Sequence, residues 1–183
     1  MMKHRTIISA MLVLPLLLAN SCRKGDGDAD YGNSYIYMPQ ATVNAGLDNH
    51  YNVPSGGAEN TLNFEVSDTD VEIYMGVLLS GKAEGKGFSV NIVVDESKTG
   101  DAAASLGAAV LPDSVYELPP YVDVAEGKNS EIFHLLVKKD FVAAAEGKYV
   151  LVVGLADPSE YELSPNATSV TVVIDADALQ KYI

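Results

Sequence analysis

The stretch that decides the fold covers residues 130–156 and reads SEIFHLLVKKDFVAAAEGKYVLVVGLA. Its two ends, Ser130–Lys138 and Lys148–Ala156, are rich in branched and aromatic residues and carry apolar side chains on both faces. Such runs are typical of strands that are covered on both sides. Between them, Asp140–Glu146 predicts a short helix with Asp140 as its N-cap. This stretch therefore predicts two central strands joined through one helical turn.

Outside that stretch, apolar residues recur with a period of two rather than 3.6, which indicates strands. The alternating runs lie at residues 35–38, 61–68, 71–75, 88–94, 122–124 and 170–174. Segments rich in Gly, Pro, Asp and Ser separate these runs and favour turns. The Ala-rich segment 95–110 predicts a second helical turn. Together these features predict an all-β fold, an antiparallel β-sandwich with one or two short helical turns.

The N-terminal segment has the features of a secretory signal peptide. Lys3 and Arg5 precede an almost wholly apolar run at residues 7–18, and small residues follow it. That order is typical of a cleaved signal, and the run is shorter than the roughly 20 apolar residues that a membrane-spanning helix needs. We therefore expect residues 1–21 to be a signal peptide.

Cys22 is the only cysteine of the chain and directly follows Leu18-Ala19-Asn20-Ser21, an arrangement that resembles the lipobox of bacterial lipoproteins. In that class the cysteine becomes the first residue of the mature chain and carries thioether-linked diacylglycerol. Several acyl chains anchor a protein stably where one does not, because each buried methylene adds about 0.8 kcal/mol. With no second cysteine for a disulfide, we expect Cys22 to be lipidated. The alternative is an incidental cysteine beside the cleavage site.

The acidic balance of the chain restricts its partners. The chain has 12 basic and 25 acidic side chains, a formal charge of −13, and loss of Lys3 and Arg5 leaves 10 basic residues and a charge of −15. Such acidity argues against nucleic acids and anionic lipid surfaces as partners. Residues 22–33 are rich in Gly and Asp and predict a flexible tether. We expect a sandwich domain at residues 34–175, followed by a C-terminal tail at residues 176–183.

Six motifs, in this order and spacing, resemble those of one protein family. They are Ser34–Ala41 (SYIYMPQA), Phe88–Asp95 (FSVNIVVD), Leu111–Leu118 (LPDSVYEL), Val124–Ser130 (VAEGKNS), Lys148–Leu151 (KYVL) and Tyr161–Ser164 (YELS). The family is the domain of unknown function at the N-terminus of many Bacteroides-type surface lipoproteins from glycan-utilisation loci. The resemblance implies an immunoglobulin-like β-sandwich at the cell surface. Relatives usually continue into a second domain, whose activity is not carried over to this chain.

The available residue types argue against most catalytic chemistry. His50 lies in a polar loop and His134 in a predicted strand, so a histidine-based metal cluster is not predicted. Glu65 and Glu72 lie on the polar sides of their strands, where we expect solvated carboxylates. We therefore predict no metal, no cofactor and no enzymatic activity. A small glycan hydrolase is an alternative, because it needs only two suitably spaced acids.

The segment Tyr116-Glu117-Leu118-Pro119-Pro120-Tyr121 is the candidate ligand site. Tyr116 and Tyr121 offer two rings around a rigid diproline, and such rings supply apolar faces on which sugars stack. Glu117 would accept hydrogen bonds from sugar hydroxyls. The alternative is a sandwich corner in which both tyrosines cap the core.

These features predict a non-catalytic, lipid-anchored protein of the outer membrane, exposed at the cell surface, that acts as an accessory in glycan binding or utilisation. Its expected partners are the membrane, through the lipid on Cys22, and a polysaccharide or other surface proteins. The alternative from another class is a structural adhesin or pilus-type subunit. Such a subunit would use an open sheet edge to accept an added strand.

Overall fold

The computed structural model describes residues 34–43, 48–58, 61–81 and 86–183. The predicted signal peptide, Cys22 and the tether at residues 22–33 lie outside these residues. Within the described part of the chain, no helix is both long enough and apolar enough to cross a membrane.

Twelve strands of the described residues form two sheets. The strands are β1 (Tyr35–Tyr37), β2 (His50–Val53), β3 (Phe64–Val66), β4 (Asp70–Leu79), β5 (Phe88–Val94), β6 (Ala109–Val110), β7 (Tyr116–Glu117), β8 (Tyr121–Val124), β9 (Ser130–Lys138), β10 (Lys148–Ala156), β11 (Glu162–Leu163) and β12 (Ser169–Asp175). Sheet A has the order β11-β1-β4-β9-β7, with β3 also paired to β4. Sheet B has the order β2-β12-β10-β5-β8, with β6 also paired to β10.

The two sheets pack against each other, so the predicted all-β sandwich is confirmed. A single core cluster contains Ile73 and Leu135 from sheet A together with Val153 and Val172 from sheet B. The long pairs β4–β9, β10–β12 and β5–β8 are antiparallel, as predicted. Three short strands, β2, β6 and β11, instead pair in parallel with a neighbour. These strands are two to four residues long, too short to show a period of two in the sequence.

Three short α-helices accompany the sheets: α1 (Glu96–Leu106), α2 (Lys139–Ala144) and α3 (Ala176–Leu179). The sequence predicts a short helix at residues 140–146, and the structure places one there as α2, which connects β9 in sheet A to β10 in sheet B. The predicted N-cap is wrong, because the cap is Lys138, which makes no side-chain capping hydrogen bond, and Asp140 lies inside the first turn. Lys138, the last residue of β9, occupies the cap position, and its ammonium group has no acceptor atom for a backbone N–H of the first turn.

Helix α1 covers the outer face of sheet B. It begins after Asp95, whose carboxylate accepts a hydrogen bond of 3.0 Å from the backbone N–H of Lys98. Its buried side contributes Ala103 to a second, smaller core that also contains Val150 and Val173. Because α1 covers this face, β10 is buried at successive positions, on both sides of the sheet. The prediction that Lys148–Ala156 is covered on both faces is confirmed.

The outer face of sheet A is more open. Along β9 the burial alternates, with Ile132 66% exposed and the next residue, Phe133, only 5% exposed. The prediction that Ser130–Lys138 is covered on both faces is therefore wrong. Apolar residues do occur on both faces of this strand, and only the inward ones are buried deeply.

Residues 176–183 pack against the end of the sandwich. The Asp175 carboxylate accepts a hydrogen bond of 2.9 Å from the backbone N–H of Ala178 and so caps α3. Leu179 is fully buried in the core, and the ring of Tyr182 contacts the ring of Phe64 edge-on at a centroid distance of 5.2 Å.

Candidate functional site

A row of side chains from four strands crosses the outer face of sheet A. Glu65 of β3 lies opposite Glu72 of β4, and Glu72 lies opposite Leu136 of β9. Leu136 in turn lies opposite Glu117 of β7. Because residues directly opposite each other in a sheet point to the same face, three carboxylates and one leucine form a line across the outer surface.

The next row contains two rings that contact the first row. Tyr74 lies opposite His134, with ring centroids 5.2 Å apart and an angle of 56° between the planes. The Tyr74 hydroxyl donates a hydrogen bond of 2.9 Å to Oε2 of Glu65. That hydrogen bond, followed by partial burial and the charges of Glu65 and Glu72, raises the pKa of Tyr74 above its ordinary value of 10.0. Tyr74 therefore connects the carboxylate row to the imidazole.

Glu65, Glu72 and His134 form a compact cluster on this face. One ligand atom from each lies within 4.8 Å of the other two. Two carboxylate oxygens and an imidazole nitrogen are a donor set suited to divalent transition metals. From the sequence, Glu65 and Glu72 are expected to be solvated carboxylates, and nothing links His134 to them. The short turn between β3 and β4 indicates that Glu65 and Glu72 are neighbours. His134 lies near them only because β9 pairs with β4, a non-local pairing that local sequence patterns do not predict.

Beside this cluster, a groove of about 530 Å³ lies over β9. Its lining residues are Glu72, Glu117, Leu118, Pro119, Phe133, His134 and Leu136. The volume falls in the range of about 300–1,000 Å³ that is usual for small-molecule sites. The groove thus combines two carboxylates and an imidazole with an apolar wall.

The structure places the three predicted sugar-binding residues apart. Tyr116 and Glu117 form β7 in sheet A, whereas Tyr121 begins β8 in sheet B. Tyr116 lies opposite the fully buried Val137, so its ring packs against the core. Its hydroxyl donates a hydrogen bond of 3.2 Å to Oδ1 of Asp113. Burial, and then the charge of the Asp113 carboxylate, raises the pKa of Tyr116.

Glu117 and Tyr121 are both exposed, on different sheets. Tyr121 is 53% exposed and lies opposite Asn91 on the outer face of sheet B. Glu117 points outward from sheet A and lines the groove. The structure therefore brings Glu117 together with Glu72 and His134, and not with the two tyrosine rings.

Comparison with known proteins identifies the family. A family model described as a "-like, N-terminal domain" matches residues 31–162, most of the chain. The chain therefore belongs to this family of N-terminal domains, and its resemblance to a Bacteroides-type domain of unknown function is confirmed. No curated protein sequence is significantly similar to it.

Three solved structures share the fold. A two-domain protein of unknown function from Bacteroides fragilis aligns with a TM-score of 0.52 and 11% identity, over 96% of this chain and 51% of that one. A candidate carbohydrate binding protein from Bacteroides ovatus aligns with a TM-score of 0.50 and 15% identity, over 77% and 36%. A protein of unknown function from Bacteroides ovatus aligns with a TM-score of 0.51 and 15% identity, over 77% and 45%. The chain thus spans between about a third and a half of the length of these proteins.

Proposed function

We propose that this member of the family is a non-catalytic, lipid-anchored protein of the cell surface that binds a carbohydrate in the groove on sheet A. The observation that carries the proposal is the groove itself, which combines hydrogen-bonding side chains with an apolar wall. The shared fold with a candidate carbohydrate binding protein from Bacteroides ovatus supports it. The anchor rests on the position of Cys22 after an apolar signal sequence.

The chemistry of the groove matches that of a sugar ring. A pyranose has apolar C–H faces and a rim of hydroxyls. Leu118, Pro119 and Leu136 offer apolar surface to such a face. Glu72 and Glu117 lie on opposite sides of Leu136 in one row, so their carboxylates can accept hydrogen bonds from two edges of the ring. Hydrogen bonds to charged groups contribute about 1.5–3 kcal/mol each.

The charge of the groove indicates which glycans it favours. Of its seven lining residues, all in the described part of the chain, none is Lys or Arg and two are Glu. The whole chain has a formal charge of −13. Like charges repel, so sulfated and uronic-acid glycans are disfavoured and neutral glycans are preferred.

A glycan-binding experiment tests this proposal. The purified chain is titrated calorimetrically with neutral and acidic oligosaccharides, and we expect binding to a neutral one. Glu117→Gln should weaken that binding about tenfold, because a charge-assisted hydrogen bond is replaced by a weaker neutral one. Asp123→Asn is the matched control, since Asp123 is an exposed carboxylate of β8 in sheet B. Tyr121→Ala should also leave the affinity unchanged.

Several outcomes would contradict the proposal. Equal losses in Glu117→Gln and Asp123→Asn would show that the groove is not the site, and failure of every neutral glycan to bind would remove carbohydrate binding. Release of new reducing ends from a bound glycan would show catalysis. For the anchor, mass spectrometry of the mature N-terminus should find an acylated Cys22, and an unmodified cysteine would exclude it.

A further inference from the structure

We propose that Glu65, Glu72 and His134 form a binding site for a divalent transition-metal cation of the class that Zn²⁺ represents. The site lies beside the groove and shares Glu72 and His134 with its lining, whereas Glu65 lies outside the lining. Because a cation would bind to these three side chains alone, metal binding can be tested without a glycan.

The first argument is that the fold forces two like charges together. Glu65 and Glu72 lie directly opposite each other across β3 and β4. The turn between the strands holds this register, because the backbone N–H of Ser67 donates to the carbonyl of Asp70 (2.9 Å) and the backbone N–H of Asp70 donates to Oγ of Ser67 (3.1 Å). Like charges directly opposite destabilise a sheet. A cation bound between the two carboxylates would turn this repulsion into a net attraction.

Within the described part of the chain, no Lys or Arg side chain forms an ion pair with either of these two carboxylates. Ion pairs between the described residues involve other acids, not Glu65 or Glu72. Among the residues that the structure describes, the one hydrogen bond to these two carboxylates comes from the neutral Tyr74 hydroxyl and reaches Glu65. The two carboxylates therefore keep oxygen lone pairs that are available to a cation, and the His134 imidazole nitrogen lies close by as a third possible ligand.

The imidazole is what distinguishes this cluster from an ordinary acidic surface. His134 lies one diagonal step from Glu72 across β4 and β9, and its ring packs against Tyr74. Carboxylate oxygens alone suit Ca²⁺ and Mg²⁺, whereas an imidazole nitrogen suits Zn²⁺ and its transition-metal neighbours. The mixed donor set therefore selects the transition-metal class.

The spacing of the donors is close to what such a cation requires. Zinc binds nitrogen and oxygen ligands at about 2.0–2.2 Å, so the ligand atoms of a tetrahedral site lie about 3.4 Å apart. The three atoms here lie within 4.8 Å of one another. Shifts of about 1 Å, within the reach of partly exposed Glu side chains, would close the site. Three protein ligands would leave a fourth coordination position for water or another small ligand.

Titration of the purified full chain with ZnCl₂ tests the inference. We expect one equivalent of Zn²⁺ to bind, and His134→Ala and Glu65→Gln each to lower the affinity at least about tenfold, since even supporting partners of metal ligands cost about 10- to 100-fold. His50→Ala is the matched histidine control, and Glu162→Gln, at an exposed position of β11 in the same sheet, is the matched carboxylate control. Both controls should bind Zn²⁺ as the unaltered chain does.

The controls separate the outcomes. Binding that survives both His134→Ala and Glu65→Gln, or that His50→Ala abolishes equally, would overturn the inference, as would the absence of stoichiometric binding. Circular dichroism checks that each variant is folded, and Glu65→Gln retains the size of the side chain if His134→Ala does not fold. Zinc binding without glycan binding would contradict only the proposed carbohydrate function, and glycan binding without zinc binding would contradict only the metal site.

Discussion

The two sheets expose different outer faces, although their long strands β9 and β10 both carry apolar residues on both faces. Strand β10 is buried on both sides because α1 packs on the outer face of sheet B, where Ala103 of the helix clusters with Val150 and Val173 of the sheet. Strand β9 is buried only on its inner side, and Ile132 on its outer side is 66% exposed. The uncovered face is the one that carries the groove and the Glu–Glu–His cluster. A strand that is apolar on both faces can therefore be covered on both sides, as β10 is, or open on one side, as β9 is.

The attachment of α1 explains the difference in physical terms. The Thr99 hydroxyl donates a hydrogen bond of 2.7 Å to the carbonyl of Asp95 and accepts one of 2.9 Å from the backbone N–H of Val152. A buried hydroxyl that is fully paired fastens the helix to sheet B. On sheet A the outer side chains instead bond to each other, as Tyr74 does to Glu65.

The largest expected effect on stability distinguishes the inner from the outer face of one strand, β9. Leu135 is fully buried in the core, whereas Leu136 lies on the outer face, partly exposed. Leu135→Ala should lower the free energy of unfolding by about 2–5 kcal/mol, because it leaves a cavity. Leu136→Ala should lower it by less than half as much, since the site is open to solvent. Urea denaturation measures both values, and equal losses would show that the outer face of sheet A is covered after all.

A smaller effect on stability tests how α1 is attached to the outer face of sheet B. Thr99→Val keeps the shape of the side chain but leaves the backbone N–H of Val152 without its acceptor. We expect a loss of about 1–3 kcal/mol in the free energy of unfolding. Ser105→Ala, at an exposed position of the same helix, is the control and should change stability by less than about 0.5 kcal/mol. A neutral Thr99→Val would mean that this contact does not fasten the helix.

The smallest expected effect concerns the pKa of Tyr74 on the outer face of sheet A. The hydrogen bond to Glu65 is the main cause of the raised pKa of Tyr74, so Glu65→Gln should move that pKa down toward 10.0. Because the folded-state pKa is raised, the associated stabilisation is present below about pH 10 and is lost as the pH rises through the folded-state value. The effect is small, since Tyr74 is close to solvent.

Tyrosine titration followed by NMR measures this shift. Tyr116 is the internal control, because its raised pKa comes first from burial and then from Asp113. An unchanged pKa for Tyr74, or equal changes at both tyrosines, would show that the Glu65 contact does not control this face.

Part of the candidate site could be predicted from the sequence. The period of two places Glu65 and Glu72 on the polar faces of their strands, and the short turn between them makes them neighbours. The sequence also predicts Glu117 as a ligand-binding residue; the structure places it in the lining of the groove, and ligand binding there stays a prediction. Its expected companions Tyr116 and Tyr121 lie apart, because the chain crosses from sheet A to sheet B between them. Local patterns do not reveal where such a crossing occurs.

The sequence by itself determined the sandwich, because alternation and turn chemistry are local properties that each segment carries alone. It also determined the family, through the order of its motifs. Only the tertiary structure decided which outer face is covered and that His134 joins Glu65 and Glu72. Both outcomes depend on the choice of strand neighbours and on the docking of α1, contacts between residues far apart in the chain. Such contacts are set by packing of the whole core and not by any one segment.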